Sequence, residues 1–162
     1  MSGGKTTGAA SVSTDRIEKT TVIHAPRARV WRALTNHEEF GKWFGVTVDT
    51  PFTAGAAVKG RIHDPQYAHI PFELTIDRIE PERLFTMRWH PYAHEPGVDY
   101  SAEPATLIEF TLEEIAEGTR LTVVESGFDK IPLERRALAY RMNDEGWGIQ
   151  VQNIKKYVEQ TA

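Results

Sequence analysis

Six histidines are the first side chains in this sequence that could do chemistry, because neutral imidazole is the commonest metal ligand in proteins. His63 and His69 bracket one predicted loop, and His90 and His94 lie four residues apart in the segment HPYAH. That spacing brings two imidazoles together on a helix, but Pro91 follows a predicted strand and disfavours a helix there. With no cysteine and no HExxH motif, we predict no metal site and no cofactor, and we interpret these histidines as loop residues at the rim of a cavity.

The carboxylates offer little for acid–base catalysis. Three glutamates within residues 113–117 cluster at a predicted hairpin tip, where water keeps a carboxyl ionised. Glu109 lies in the middle of a strand on the face opposite Ile108 and Phe110, and it is exposed if that face is convex. The sequence contains no G-x-S-x-G, P-loop or G-x-G-x-x-G motif. We therefore assign no catalytic residue.

Aromatic side chains are the most informative feature: the chain has four Trp, seven Phe and five Tyr. Ligand pockets are lined mainly by apolar and aromatic groups with a few polar ones, although plain core packing is the alternative for each ring. Trp31 and Trp43 are expected to close one end of the sheet. The predicted ligand-binding residues are Phe44, His63, Phe72, Met87, Trp89, His90, Phe110, Tyr140 and Trp147.

These side chains need strands and helices to position them. Period-two alternation predicts strands at residues 16–24, 72–77, 84–89 and 106–113. Further strands are predicted at 46–49 and 56–63, and at 119–128, which returns from a hairpin turn at Glu117-Gly118. Ala25-Pro26 ends the first strand, Pro26 suits the first position of a short helix, and Asn36 is a predicted N-cap of a second one. Short turns between consecutive strands indicate an antiparallel meander.

A long amphipathic helix is predicted from Leu133 to Val158, because its apolar residues recur at steps of three, four and seven. Gly146 and Gly148 flank Trp147, and either close packing on the sheet or a local kink would explain them. One apolar helix face and one apolar sheet face must bury each other. The fold class is therefore α+β, a curved antiparallel sheet wrapped around the C-terminal helix, with a hollow between them.

Composition sets the outer limits. A chain of 162 residues predicts one domain, residues 15–162, after a Gly/Ser/Thr-rich leader at 1–14 that we expect to be disordered. A net charge of -4 argues against a nucleic-acid partner. No apolar run is long enough to span a membrane, and no signal peptide is visible. The absence of cysteine fits a reducing compartment, so a cytoplasmic location is expected.

Several segments together resemble the START-like superfamily, also called the SRPBCC or helix-grip fold. The resemblance is strongest to its bacterial branch related to the activator of the ninety-kilodalton heat-shock protein ATPase. The matching segments are Ile23–Pro26, Val30–Thr35, Lys42–Phe44, Phe52 with Ala54-Gly55, Gly118–Thr122, Gly127-Phe128 and Glu145–Trp147, ahead of Ile154 and Tyr157. The resemblance implies an apolar cavity between sheet and helix.

The resemblance does not imply one activity, so three functional hypotheses stay open. The first is binding of a small apolar or amphipathic molecule in the cavity. The second is a cyclase- or hydratase-type enzyme that uses His63, His90 or Glu109, and the third is a modulator of a chaperone ATPase. The third rests on the family description alone, so no chaperone partner is expected. The resemblance to the family also implies a homodimer. The connection from Pro91 to Pro104 is long enough for a functional loop.

Overall fold

The computed structural model describes residues 15–91, 99 and 102–161. The strands are β1 (Arg16–Ile23), β2 (Val46–Val48), β3 (Ala57–Ile62), β4 (Pro71–Glu80), β5 (Leu84–Trp89), β6 (Thr106–Ile115) and β7 (Gly118–Ser126). The helices are α1 (Arg27–Thr35), α2 (His37–Phe44) and α3 (Leu133–Thr161), with a short 3₁₀ turn at Phe128–Lys130. All seven strands form one antiparallel sheet in the order β1-β7-β6-β5-β4-β3-β2. The predicted α+β helix-grip arrangement is confirmed.

The core lies between the inner face of the curved sheet and α3. Strand alternation points every second residue inward, and the inward residues of β6 and β7 are buried. The buried side of α3 carries residues at helical spacing: Ala139, Trp147, Val151, Ile154 and Val158. The two apolar faces therefore cover each other, and α1 and α2 close the space beside them.

The short helices begin and end as the local chemistry dictates. The Pro26 carbonyl accepts from the backbone N–H groups of Arg29 and Val30, so Pro26 is the N-cap of α1 rather than its first helical residue. The Asn36 side chain accepts from the Glu39 backbone N–H at 3.0 Å, which confirms the predicted cap of α2. Gly45 then ends α2 in the left-handed region at φ 88°, a conformation that favours glycine.

The two glycines beside Trp147 are not explained by close packing. α3 runs unbroken from Leu133 to Thr161, and no atom of the described residues lies within 4 Å of the place where a Cβ would stand on Gly146 or Gly148. The predicted leader at 1–14 and most of the 91–104 connection, including His94, lie outside the described residues. Within the described ranges, no helix is long and apolar enough to cross a membrane.

Candidate functional site

A carboxylate interrupts the apolar inner face of the sheet. Directly paired residues on neighbouring antiparallel strands share a face, so the register defines a row across the sheet. That row runs through Ile17, Glu125, Ile108, Met87 and Ile76 on β1, β7, β6, β5 and β4. Every residue in it is buried, and Glu125 is 0% exposed. Burying an ionisable group in apolar surroundings is costly unless something compensates it.

Three uncharged donors surround the Glu125 carboxylate. The indole Nε1 of Trp147 on α3 donates to Oε1 at 2.7 Å. The indole Nε1 of Trp89, at the end of β5, donates to Oε2 at 2.7 Å. The hydroxyl of Thr106, the residue that pairs with Trp89 at the start of β6, donates to Oε2 at 2.5 Å. Glu125 thereby joins the helix to the middle strands of the sheet.

Among the residues that the structure describes, no cation pairs with this carboxylate. No ion pair to Glu125 occurs among the described residues, and Lys19, on the inner face of neighbouring β1, is paired with Asp144 of α3 at 3.0 Å. Burial raises the pKa of Glu125 above its ordinary value of 4.5, although the hydrogen bonds from Thr106, Trp147 and Trp89 partly oppose the rise. A buried carboxyl with a raised pKa and, in the described part of the chain, no charged partner is a candidate functional group.

Five aromatic rings form one cluster around this carboxylate. The two indoles that bind Glu125 are stacked, with centroids 5.8 Å apart and planes at 28°. Phe44 makes T-shaped contacts with both, at 6.1 Å from Trp89 and 6.0 Å from Trp147. Phe72 contacts Phe44 at 5.7 Å, and Phe110 contacts Trp147 at 5.7 Å. Edge-to-face and offset contacts at these distances are the favoured aromatic geometries.

The cluster has a buried side and a partly exposed side. Phe72, Phe110 and Trp147 are buried, whereas Phe44 and Trp89 are only half-buried. Phe44 is the last residue of α2, and its carbonyl accepts a hydrogen bond at 3.0 Å from the Gln150 side chain of α3. The approach to the cluster therefore lies where α2, the end of β5 and the middle of α3 meet.

The predicted ligand-binding residues separate into two groups. The structure brings Phe44, Phe72, Trp89, Phe110 and Trp147 together, with Met87 buried on the same sheet face. His90 is half-buried and its Nε2 donates to the Glu103 carbonyl at 3.0 Å. His63 is exposed and shares a hydrogen bond of 2.7 Å with the Thr47 hydroxyl.

Tyr140 belongs to a different cluster. Its ring packs edge-on against Phe128 at 5.3 Å, and its hydroxyl donates to the Arg16 carbonyl at 2.9 Å. Both contacts tie α3 to the end of the sheet. As ligand contacts, all nine residues remain predictions, and the geometry favours the five clustered rings over Tyr140 and His63.

Sequence pattern did not select Glu125 or Thr106. A usable signal was present, because Glu125 stands in phase with Leu121 and Val123, which face inward on the same strand. An acidic residue at an otherwise apolar core position indicates either a compensated charge or a functional group. The mid-strand glutamate that the pattern did single out, Glu109, lies on the outer face as the alternation predicts.

A second depression lies beside α2 and β2. It encloses about 350 Å³, is open to solvent, and contains His37, Glu38 and His63 among its lining residues. Within residues 15–91, 99 and 102–161, no group of three or more His, Asp or Glu side chains is arranged to hold a metal ion. The buried Glu125 cluster is therefore the stronger candidate site.

Several solved structures share this fold. The protein MLL2253 from Mesorhizobium loti is 20% identical, with a TM-score of 0.70 over 91% of this chain and 98% of that one. DynU16, a protein in the dynemicin biosynthetic locus, is 27% identical with a TM-score of 0.68, and the match covers 90% of this chain but only 47% of DynU16. The Aha1 dimer from Colwellia psychrerythraea is 17% identical, with a TM-score of 0.66 over 89% and 96% of the two chains.

The family assignment rests on the sequence as well as the fold. No protein of curated function matches the sequence at a significant level. Residues 24–159 match the family described as activator of Hsp90 ATPase homolog 1-like proteins, and this match spans most of the chain, from the end of β1 to the last turn of α3. The chain therefore belongs to that family, within the START-like superfamily.

Proposed function

We propose that this protein binds a small apolar or amphipathic molecule between the curved sheet and α3. The observation that carries the proposal is the aromatic cluster with a buried carboxyl at its base. Binding sites for small molecules combine mostly apolar walls with a few placed polar groups. Affinity would come from burial of apolar surface, at about 25 cal/mol per Å².

In this proposal Phe44 and Trp89 form the entrance, because they are the half-buried members of the cluster. Phe44 is the last residue of a short helix that ends at a glycine, and its ring also contacts Phe40 and Trp43, so the proposal requires these rings to repack when a ligand enters. A ligand would then occupy the place of the Phe44 ring beside the two indoles.

The test is native mass spectrometry of the protein purified from cells, followed by solvent extraction and identification of bound molecules. We expect a bound small molecule in the wild-type protein and a changed occupancy in Phe44→Ala. Tyr140→Phe is the matched control, because it alters an aromatic residue of α3 outside the cluster, and its occupancy should equal that of the wild type. An empty wild-type protein that also fails to bind added apolar aromatic molecules would contradict the proposal.

Acid–base catalysis in the same cavity is a second candidate, and the environment of Glu125 favours it. A buried carboxyl whose pKa is raised above its ordinary value is suited to general acid catalysis. If the extracted molecule is converted on incubation with fresh protein, Glu125→Gln should abolish conversion while the molecule still binds. Unchanged conversion in that variant would exclude Glu125 as the acid.

A homodimer is a further proposal, supported by the shared fold of the Aha1 dimer from Colwellia psychrerythraea. Light scattering coupled to size-exclusion chromatography would measure the mass in solution. A mass close to twice 18.3 kDa is the expected result, and a mass of one chain over the working concentration range would contradict it.

A further inference from the structure

The geometry points to a ligand that carries a protonated amine, with the ammonium group bound to Glu125 and an apolar or aromatic body in the cluster. This inference rests on the proposed function and deepens it by naming the chemical class of the ligand. It starts from the one ionisable side chain in the apolar row and from the rings that surround it.

The donors to Glu125 carry no charge. Two are indoles and one is a hydroxyl, and all are neutral. When Glu125 is ionised, they satisfy oxygen lone pairs but leave its negative charge uncompensated, and Lys19 on the same face of the sheet is engaged by Asp144. A buried charge calls for an opposite charge with good geometry. An ammonium ion from the ligand would supply it.

The two oxygens of Glu125 are unequally filled. An ionised carboxylate can accept about four hydrogen bonds. Oε2 receives two donors, Trp89 and Thr106, whereas Oε1 receives only Trp147 among the described residues. Oε1 therefore has room for a further donor, and the ammonium group of a ligand that takes the place of the Phe44 ring is the donor that we assign to it.

The aromatic walls also favour a cation. Cations are attracted to the faces of aromatic rings, most strongly to those of tryptophan. Phe44, Trp89 and Trp147 form a triangle of rings with centroid separations of 5.8, 6.0 and 6.1 Å. In the proposal the ligand takes the place of the Phe44 ring beside the two stacked indoles, whose N–H groups bind the carboxylate. This combination favours an ammonium group over a neutral group of the same size, and it repels a carboxylate.

The experiment compares three probes with one aromatic body: naphthylmethylamine, naphthylmethanol and naphthoate. Isothermal titration calorimetry on the wild-type protein at neutral pH measures each dissociation constant. We expect naphthylmethylamine to bind about tenfold more tightly than naphthylmethanol, because hydrogen bonds between charged groups are worth more than neutral ones. Naphthoate should bind more weakly than either.

Variants assign the preference to the buried carboxyl. Glu125→Gln should bring the amine and the alcohol to similar affinities. Glu109→Gln makes the same chemical change on the outer face of β6 and should leave the tenfold preference intact. The probe series on the wild type stands by itself if Glu125→Gln does not fold.

The outcomes separate this inference from the function it rests on. Equal binding of the amine and the alcohol by the wild type would overturn the amine inference and leave the proposed binding function standing. Tighter binding of naphthoate would also overturn it, because a protonated Glu125 would then be the donor. If none of the three probes binds, both the inference and the proposed function are contradicted.

Discussion

Two glutamates of this protein receive three side-chain hydrogen bonds each, yet their surroundings differ in charge. Glu39 of α2 accepts from Arg29 at 2.7 Å, Tyr157 at 3.0 Å and Arg32 at 2.8 Å. Two of those donors are cations. The three hydrogen bonds together join α1, α2 and the last turns of α3. Glu125 accepts three bonds of similar length from neutral groups only.

The difference in charge reverses the effect of burial on the two carboxyls. Burial alone would raise the pKa of Glu39, but hydrogen bonds from Arg29 and Tyr157, the Arg29 charge and the Arg32 hydrogen bond outweigh it, and the pKa lies below 4.5. For Glu125 burial prevails and the pKa lies above 4.5. The number of hydrogen bonds therefore does not decide whether a carboxyl is a structural anion or an exchangeable acid. Compensating charge decides it.

The largest expected loss of stability follows from removing the two acceptor oxygens of Glu125. Glu125→Leu leaves two indole N–H groups without their acceptor and leaves the Thr106 hydroxyl with only the Trp89 carbonyl at 3.4 Å, so we expect the free energy of unfolding to fall by about 4 kcal/mol. Urea denaturation followed by tryptophan fluorescence measures it. Glu109→Leu is the control on the outer face, with an expected change within about 1 kcal/mol. A loss below about 1 kcal/mol in Glu125→Leu would show that the interior does not depend on this carboxyl.

Substitution of Glu39 should lower the free energy of unfolding less than substitution of Glu125, and the loss should depend on pH in the opposite direction. Glu39→Gln removes the anion beside Arg29, whose side chain is only 10% exposed, so we expect a loss of about 2 kcal/mol at neutral pH. A lowered native pKa contributes stability above 4.5 that is lost as pH falls through the native value. The difference between wild type and variant should therefore shrink below pH 4.5. Glu38→Gln, one residue earlier and exposed, should show a small change that does not follow this profile.

Glu125→Gln should show the opposite dependence of stability on pH. Its raised native pKa means that the folded protein binds more protons than the unfolded chain above pH 4.5, so wild-type stability falls as pH rises through the native value. The folded state can accommodate that proton. The protonated carboxyl can donate a hydrogen bond to the Thr106 hydroxyl, which can in turn donate to the Trp89 carbonyl at 3.4 Å.

The glutamine variant lacks this titration and leaves one indole N–H facing an amide NH₂. We expect it to be less stable than wild type by about 2 kcal/mol near pH 4.5, with a smaller deficit at higher pH. Denaturation midpoints measured across this range give the comparison. A deficit that grows with pH would mean that Glu125 is a stabilising anion like Glu39.

Sequence pattern was sufficient to predict the fold because the apolar periods are regular. Alternation and turn signals together identified all seven strands and the order of elements, and helical spacing identified α3 to within three residues of its end. Boundaries shifted where backbone hydrogen bonds decide them, as at Pro26, whose carbonyl already accepts the first helical bond. Regular patterns report which face is buried, but they do not report where a helix starts to the residue.

The site was predicted only in part, for a physical reason. Phe72, Trp89, Phe110 and Trp147 were selected because large rings in phase with a buried face must converge. Glu125 was not, because its partners are 36 residues upstream and 22 residues downstream, and indole N–H groups leave no trace in a hydrophobic pattern. Tyr140 shares the apolar face of α3 but lies two turns before Trp147, where it meets Phe128 instead of the cluster.

The smallest change in stability is expected from a substitution in α3, the helix from which Trp147 donates to Glu125 and Tyr157 donates to Glu39. Gly148→Ala should raise the free energy of unfolding by about 0.5–1 kcal/mol, because alanine favours helix and a Cβ meets no described atom there. Thermal unfolding measures the gain. A lower melting temperature would show that the helix needs glycine at this position.

Gly146→Ala gives the paired comparison. Gly146 lies on the side of α3 that carries Asn143 and Gln150, which donate to the Pro91 and Phe44 carbonyls at the approach to the cluster. Gly148 lies on the side of Asp144, which pairs with Lys19 of β1. Both alanines should stabilise the helix, but only the one at 146 adds a methyl group at the proposed entrance. Weaker binding of naphthylmethylamine by Gly146→Ala than by Gly148→Ala would place the entrance on that side of α3, and equal binding by the two variants would argue against it.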